Sequence, residues 1–432
     1  MKACKANLLQ FLGKAGHLEV PVYQRCYSWT NKQCQQLWDD LVSLAKNENI
    51  NSHFLGVIVY VEKDLSQISS VNTSYLIDGQ QRLTAVALIL AALVHILDES
   101  GQKNELTARK IKNRFLYNHE LYNSDEDKQR YKLRLNSDDN STYKAVLDGH
   151  EDLPLKYSQN ILDSYELFKK LISESQIPHN QIFSALQKLE IIDVALQKGF
   201  DNPQLIFDSL NSTGVRLSQN DQIRNYVLMG LEQGEQNELY KNYWEPMEKA
   251  FFLTNKPELF EQFMRDYLTI QNNGQIPAIS EIYSGFNTFF NARLKLQSRK
   301  EILKHLYRYS GYFLKIVFCN INAPEISEIV KRINSLNAKD SYPFIMEVFE
   351  DFENGLIDEN ILAEILKTVE SFIVKRITNP DDKIISTFAT LSNDINKMLA
   401  LKDFTPKIVE PEAGIFTEVP KSTINKLLRV NE

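Results

Sequence analysis

The segment Ser74-Tyr75-Leu76-Ile77-Asp78-Gly79-Gln80-Gln81-Arg82-Leu83-Thr84 gives the strongest indication of fold and chemistry in this 432-residue chain. Its apolar half predicts a short buried strand, Asp78-Gly79 predicts a tight turn, and a helix is expected to begin directly behind it. Arg82 then falls in the first helical turn, where the positive end of the helix dipole disfavours a cation unless an anion is bound. Free N–H groups, a glycine and an arginine together suit a phosphate. The segment therefore predicts a site for a phosphate-bearing ligand.

The flanking sequence indicates an α+β fold. Residues 54–61 and 189–196 predict buried strands, and apolar residues recur with helical spacing from Gln80 to Leu97. From Pro203 onward every strong pattern is helical, with helices expected near 203–210, 219–231, 236–251, 257–270, 279–292, 299–317, 325–335, 342–353, 359–376 and 382–400. We predict a mixed-sheet domain over residues 1–200, a mostly α-helical domain over 201–400, and a linker-like tail over 401–432.

Composition narrows the functional classes. The net charge of -7 argues against a uniformly basic nucleic-acid-binding protein but allows a local basic groove. The four cysteines form no CxxC pair, and the seven histidines show no metal-binding spacing. No signal peptide opens the chain, and the apolar run from Ala85 to Leu97 is expected to be too short to span a membrane, so we expect a cytoplasmic protein. No Walker-type phosphate loop occurs.

The central segment suggests specific roles. Arg82 and the helix-start N–H groups beside Gly79 would bind phosphates, and Asp78 would hold Mg²⁺ or orient a water. Gln80 and Gln81 would position that water or the ligand. The structural alternative is that Asp78 simply caps the helix, but two glutamines and an arginine in the first turn favour function.

A second candidate wall is the irregular segment from Pro21 to Trp29. Arg25 would bind phosphate, while Tyr23 or Trp29 would stack on a base, with Gln24 between them. The alternative is an aromatic loop packed under the sheet, with Arg25 in a structural ion pair. The residue types favour function for Arg25 and packing for Tyr27 and Trp29.

A third polar cluster spans residues 207–225. Asp221, Arg224 and Asn225 share one helix face, so they could project onto a ligand, yet spacing alone favours a well-capped joint with a local ion pair. Residues 103–134 carry nine Lys/Arg against five Asp/Glu. Lys132 and Arg134 in this stretch could contact DNA, and a solvated face is an equal alternative.

These motifs together resemble the N-terminal domain family of GmrSD-type, modification-dependent restriction enzymes. The resemblance rests on segments that occur in order: Val20–Trp29, His53–Gly56, Ile77–Thr84, Leu210–Gly214 with Arg224-Asn225, Ser341–Phe344 and Glu370–Arg376. It implies a fold similar to ParB and sulfiredoxin, and a nucleotide-hydrolysing module of bacterial defence against phages with modified DNA.

The resemblance also implies site residues and partners. The family's Asp-Gly-Gln-Gln-Arg motif, tied to nucleotide hydrolysis, falls on residues 78–82, and its Tyr-Gln-Arg motif falls on Tyr23, Gln24 and Arg25. Its Asn-Ser-Thr-Gly motif falls on Asn211, Ser212, Thr213 and Gly214, which supports a nucleotide-binding role for these residues and Arg224. We expect GTP or another nucleoside triphosphate with Mg²⁺ as ligands, and DNA as partner. The Glu-His-Ile stretch of the HNH nuclease domain found in many members is absent here. We therefore expect the nuclease to be truncated or on a separate subunit; an oligomer is compatible with the sequence.

Overall fold

The computed structural model describes residues 1–47, 49–62, 72–100, 107–118, 129–150, 153–197, 199–211, 218–272 and 274–378. The chain divides into two compact units. The first comprises Met1–Arg216 with Met229–Glu232, and the second comprises Leu217–Leu228 with Gln233–Glu432. Our predicted boundary after residue 200 falls before helix 203–211, which belongs to the first unit.

A mixed six-stranded sheet organises the first unit. The strands are β1 (Lys2–Asn7), β2 (His17–Glu19), β3 (His53–Glu62), β4 (Thr73–Asp78), β5 (Leu133–Arg134) and β6 (Leu189–Leu196), in the order β1-β6-β3-β4-β2-β5. β3 pairs antiparallel with β4 and parallel with β6, while β2 runs parallel to both β4 and β5. The mixed sheet confirms the α+β prediction.

Eight helices belong to the described part of this unit: α1 (Leu8–Lys14), α2 (Asn31–Lys46), α3 (Gln80–Ser100), α4 (Ala108–Ile111), α5 (Ser137–Asp148), α6 (Gln159–Glu174), α7 (His179–Leu186) and α8 (Pro203–Asn211). α3 is central. Residues from Leu83 to Val94 are almost fully buried on every side of it, as expected of a helix surrounded by other elements. α3 packs against α6 and α4. The core of the unit therefore fixes the axis of α3, and with it the position of the Asp78–Arg82 turn.

α3 also meets the length and composition required of a membrane span. The window Gln80–Glu99 has a mean hydropathy of 1.6, but 83% of it is buried inside the protein. α3 is thus longer than the apolar run Ala85–Leu97 that was expected to be too short to span a membrane. Because α3 is buried among the other elements of the first unit, its high hydropathy is that of a core helix.

The second unit is helical, as predicted. Its helices are α9 (Gln219–Leu228), α10 (Gln233–Leu239), α11 (Glu245–Phe252), α12 (Glu258–Gln271), α13 (Ile282–Arg293), α14 (Arg299–Phe318), α15 (Pro324–Ser335), α16 (Tyr342–Glu353) and α17 (Glu359–Thr378). A cluster of phenylalanines forms part of its core; the rings of Phe251 and Phe263 stack with centroids 5.5 Å apart. The helix predicted near 382–400 and the tail lie outside the described residues.

Candidate functional site

The turn between β4 and α3 is shaped by Gly79. Its φ of +97° is unfavourable for residues with a side chain, and a Cβ here would lie 3.0 Å from Ile58 Cγ1 and 3.1 Å from the Val57 carbonyl oxygen. The chain passes this close to β3 because β4 pairs with β3 up to Asp78. Gly79 therefore lets the strand pass directly into the helix, with the first turn of α3 beginning at Gln80.

The side chain of Arg82 packs against a second glycine, Gly56. An ideal Cβ on Gly56, whose φ is +130°, would fall 2.0 Å from Arg82 Nη1. The guanidinium therefore occupies the space that any other side chain at position 56 would take. Arg82 Nη2 also donates to Asp78 Oδ2 at 3.1 Å, and both side chains remain partly exposed. The arginine is thus held by a backbone cradle and one carboxylate, with part of its surface open to solvent.

Three glutamines join the loop of residues 20–30 to this turn. Gln24 Nε2 donates to the Ile77 carbonyl at 3.0 Å, and Gln80 Nε2 donates to the Arg25 carbonyl at 3.2 Å. Gln81 uses both ends of its amide: Oε1 accepts from Ser28 N–H at 2.8 Å, and Nε2 donates to the Cys26 carbonyl at 3.2 Å. These contacts place the Tyr23–Arg25 and Asp78–Arg82 segments next to each other, and their joint role in a ligand site stays a prediction.

Further anchors of the loop were not predicted. Asn136 Nδ2 donates to the Gln24 carbonyl at 2.5 Å, and the Tyr27 N–H donates to the Asp139 carboxylate. Asn160 Nδ2 donates to the Tyr27 carbonyl at 3.1 Å. These partners lie more than a hundred residues away in sequence and carry no local pattern. The only available signal was their type, since Asn and Asp side chains readily satisfy irregular backbone.

The geometry corrects three role assignments. Tyr23 is 2% exposed, so it has no open face on which a base could stack. Its burial also raises the pKa of its phenol. Gln24 and Gln81 are buried, and their amides hold the loop and the strand end. They are positioning residues rather than groups presented to a ligand.

Gln80 combines a positioning contact with a polar atom that could bind a ligand. Its amide nitrogen holds the Arg25 carbonyl, but its Oε1 is buried and accepts no hydrogen bond within the described part of the chain. A buried acceptor without a partner is costly. A donor that reaches this oxygen would therefore be favoured, which leaves a direct ligand role for Gln80 as a prediction.

Arg25 is partly exposed on the loop. Among the described residues no carboxylate lies within ion-pair distance of its guanidinium, which differs from the structural ion pair considered as the alternative. The loop carbonyl of Arg25 is fixed by Gln80. Arg25 is therefore a second cation on a well-anchored backbone next to the Arg82 turn.

The candidate metal ligand is Asp78. Its Oδ2 accepts from Arg82, while Oδ1 accepts no hydrogen bond from any residue that the structure describes. Within those residues no group of three His, Cys, Asp or Glu side chains is placed to hold a metal ion. Mg²⁺ usually keeps several waters and takes one or two carboxylates plus ligand phosphates. A single available carboxylate oxygen fits that mode of binding, and it does not fit a metal held by protein alone.

The third motif is only partly described. Asn211 is the last residue of α8, and Thr213 and Gly214 lie outside the described residues. Arg224 belongs to α9 in the second unit, where it is 5% exposed and pairs with Asp221 at 2.6 Å and with Glu248. This buried pairing matches the structural interpretation that spacing favoured. A nucleotide role for these four residues stays a prediction.

The basic segment does not form one continuous charged face in its described part. Lys132 is 7% exposed, its Nζ donates to the Ala15 carbonyl at 2.6 Å, and burial lowers its pKa. The assignment of Lys132 to DNA contact is therefore wrong: its ammonium is used inside the fold. Arg134 is about one-third exposed and pairs with Glu19 at 3.3 Å, so its role in DNA binding stays a prediction.

Comparison with known proteins bears on most of the first unit. A search of curated proteins found no match. The family model described as the GmrSD restriction endonuclease N-terminal domain matches residues 8–228, just over half of the chain. The match includes β4, α3 and the loop that the glutamines anchor. The chain belongs to the family of GmrSD restriction endonuclease N-terminal domains, which gives it a role in a restriction system.

Proposed function

We propose that the turn at Asp78–Arg82, together with Arg25, binds the phosphates of a nucleoside triphosphate, GTP or another, and that the site hydrolyses it. The observation that carries the proposal is the placement of Arg82. A guanidinium is held over Gly56 in the first turn of α3, where the helix dipole opposes a cation. The first turn itself holds no acidic residue, and the one carboxylate paired with Arg82 is that of Asp78, directly before the helix. A bound polyphosphate would offset both the charge of the Arg82 guanidinium and the positive end of the helix dipole.

The donors at the site match the charge of a triphosphate. The first N–H groups of α3 have no intrahelical acceptor, since they precede the first full turn. Arg82 adds a forked donor, and Arg25 adds a second guanidinium from the anchored loop. Charge-assisted hydrogen bonds of this kind are about twice as strong as neutral ones. Two arginines and a helix start therefore support phosphate binding better than a purely structural turn.

Hydrolysis would follow from the same arrangement. A water that donates a hydrogen bond to Asp78 would attack the γ-phosphorus, and the bond from that phosphorus to the bridging β-γ oxygen would break. Arg82 and Arg25 would stabilise the negative charge on the equatorial and leaving oxygens. The proton lost by the water would pass to the released phosphate, because Asp78 Oδ2 is paired with Arg82 and Oδ1 is the proposed Mg²⁺ ligand. Gln81 would act indirectly, because it holds the loop that carries Arg25.

Mg²⁺ would bind through Asp78 Oδ1 and the phosphates. Bound there, it would neutralise charge on the β and γ oxygens. Asp78 would also keep its contact to Arg82, because Oδ2 rather than Oδ1 makes that contact.

The test is phosphate release by the purified full chain with Mg²⁺ and each of the four common nucleoside triphosphates. Wild type should release phosphate from at least one of them. Arg82→Ala and Asp78→Asn should abolish release while the protein remains folded by circular dichroism. Arg109→Ala is the matched control, because Arg109 is an exposed arginine on α4 and belongs to neither segment of the candidate site. If wild type releases no phosphate from any of the four, hydrolysis is refuted.

A second candidate is a nucleotide-gated regulatory subunit that binds DNA and partners a separate nuclease without hydrolysis. The observation that favours it is that the one carboxylate of the turn, Asp78, is already paired with Arg82. Under this alternative nucleotides raise the melting temperature of wild type but not of Arg82→Ala, and no phosphate appears. Salt-dependent DNA binding that shifts with nucleotide would then identify the gated function.

The setting that we propose is the bacterial cytoplasm, with modified phage DNA as the recognised partner and a nuclease domain or subunit as the effector. The family membership supports this setting. Comparison of modified and unmodified DNA of one sequence, with and without nucleotide, tests the partner. Size measurement by light scattering with each ligand tests whether an oligomer forms.

A further inference from the structure

A cavity in the first unit lies away from the Asp78–Arg82 turn in the sequence and has no role in the function proposed above. Its volume is about 350 Å³, and it is lined by the last residue of β1, by residues of α1, α4, the turn that follows α4 and α7, and by the residue after α7. This volume is at the lower end of the range of small-molecule sites. Its lining combines two cations with apolar rings and amides: Lys110, Arg114, Phe115, Phe183, Asn7 and Gln187.

Most of the apolar lining belongs to the hydrophobic core. Ile111 is fully buried, Leu9 is 2% exposed, and Phe115 is 7% exposed, so these side chains pack into the core of the unit. The rings of Phe115 and Phe183 lie with centroids 6.0 Å apart, from two different helical segments. A floor of this kind suits an apolar or aromatic body, because that body would leave water without displacing any protein hydrogen bond.

Arg114 stands at this floor without an acidic partner. Its Nε would lie 3.4 Å from a Cβ at Gly13, and its guanidinium carbon lies 5.6 Å from the centroid of the Phe115 ring. Within the part of the chain that the structure describes, no carboxylate pairs with it. Arginine binds carboxylate and phosphate groups through paired parallel hydrogen bonds. Its position thus supplies one anion-binding group beside the apolar floor.

The backbone that carries Arg114 is itself unusual. Residues Lys112–Leu116 form a π-helical turn, in which the Tyr117 N–H donates to the Lys112 carbonyl at 3.0 Å. Such turns are rare and frequently occur at functional sites. Here the turn continues α4 and contributes both Arg114 and Phe115 to the cavity. The π-helical turn therefore places the Arg114 guanidinium and the Phe115 ring beneath it in the same wall of the cavity.

We propose that this cavity binds a small organic anion: a phosphate or carboxylate group held by Arg114 and Lys110, on an aromatic or apolar body that lies against Phe115 and Phe183. The site is separate from the nucleotide site. Arg82 does not line it, and its lining residues carry none of the motifs of the turn. Binding here therefore does not depend on whether the turn hydrolyses nucleotides.

The experiment is a ligand-observed NMR titration of the full chain with phenyl phosphate, benzoate and uncharged benzyl alcohol. These probes share a ring and differ in the head group, so the first two distinguish phosphate from carboxylate. Wild type should bind at least one anion about tenfold more tightly than benzyl alcohol, as expected for a charge-assisted hydrogen-bond pair. Arg114→Ala should lose that about tenfold preference. Arg109→Ala, with the same loss of charge one turn away, and Arg82→Ala should keep it.

A second variant fills the cavity without changing its charge. Gln187 is an exposed lining residue, so Gln187→Trp should fold normally and weaken all three probes together. Equal affinity of wild type for the anions and benzyl alcohol would overturn the proposal. Unchanged anion binding in both Arg114→Ala and Gln187→Trp would overturn it as well. If Arg114→Ala fails to fold, Gln187→Trp decides the location.

Discussion

Gly56→Ala is the sharpest perturbation of the candidate site, because it displaces Arg82 without touching its charge. An alanine Cβ would lie 2.0 Å from Arg82 Nη1, and separations below 3.0 Å do not occur for real Cβ atoms. The guanidinium must therefore shift by roughly 1 Å or more. Arg82 can move because its side chain is partly exposed, and its contact to Asp78 is worth at most about 1 kcal/mol.

Gly56→Ala should lower both the stability of the protein and its affinity for nucleotide, and the two losses can be measured separately. The positive φ at position 56 should cost about 1–3 kcal/mol of unfolding free energy. Loss of the arginine's hydrogen bonds to phosphate should weaken nucleotide binding by about 1.5–3 kcal/mol, about ten- to a hundredfold in Kd. Urea unfolding measures the first quantity, and titration of nucleotide with Mg²⁺ by calorimetry measures the second.

The matched control is Gly199→Ala. Gly199 lies in the same unit with φ +81°, and a Cβ there meets nothing within 4 Å. It should lose about 1–2 kcal/mol of stability and keep wild-type nucleotide affinity. The double variant Gly56→Ala/Arg82→Ala should lose less unfolding free energy than the two single variants together, since the clash is then removed. Wild-type nucleotide affinity in folded Gly56→Ala would refute the reasoning.

Three further predictions concern other groups. Gln81→Ala should cost about 1–3 kcal/mol and speed hydrogen exchange at the Ser28 amide, whereas Gln33→Ala, which removes an exposed helix cap, should not speed it. Lys132→Met should leave any DNA affinity and its salt dependence unchanged in fluorescence anisotropy, because its ammonium is buried; a weaker affinity would contradict that placement. Burial raises the pKa of Asp266 from 3.8 to about 8, so its contribution to stability is complete below 3.8 and is lost as pH rises towards 8. Asp266→Asn should flatten the resulting slope of up to about 1.4 kcal/mol per pH unit, as measured by urea unfolding across that window.

The helical unit was predictable because each helix carries its own signals. The expected helices near 299–317 and 342–353 correspond to α14 (Arg299–Phe318) and α16 (Tyr342–Glu353). Ser298 and Glu301 form a capping box at the start of α14, so the sequence marks that boundary locally. The predicted helix over 236–251 proved to be α10, a π-helical turn and α11, since hydrophobic spacing cannot distinguish these hydrogen-bond patterns.

The sheet was harder to predict because its register is set by distant partners. β1 (Lys2–Asn7) was not predicted: it is an exposed edge strand with lysines and lacks an apolar alternation. It exists because it pairs with β6, nearly two hundred residues away. Likewise the alternating stretch of residues 131–135 forms only the two-residue strand Leu133–Arg134, paired with the short β2. Sequence shows which segments can be strands, but the neighbours decide their length.

The same distinction explains what was right and wrong about the site. Arg82 lies in the first turn of α3, as its position in the sequence indicated, because helix start and residue type are local properties; its role towards a ligand stays a prediction. The reason it can lie there is not local: Gly56, on the bulged start of β3, leaves the space that its guanidinium fills. Buried Gln24 and Gln81 resemble ligand-binding amides in sequence, yet their partners are backbone groups of another segment. A polar residue in a motif can therefore act on a ligand or on the loop that holds the ligand-binding residue, and only the three-dimensional contacts distinguish the two.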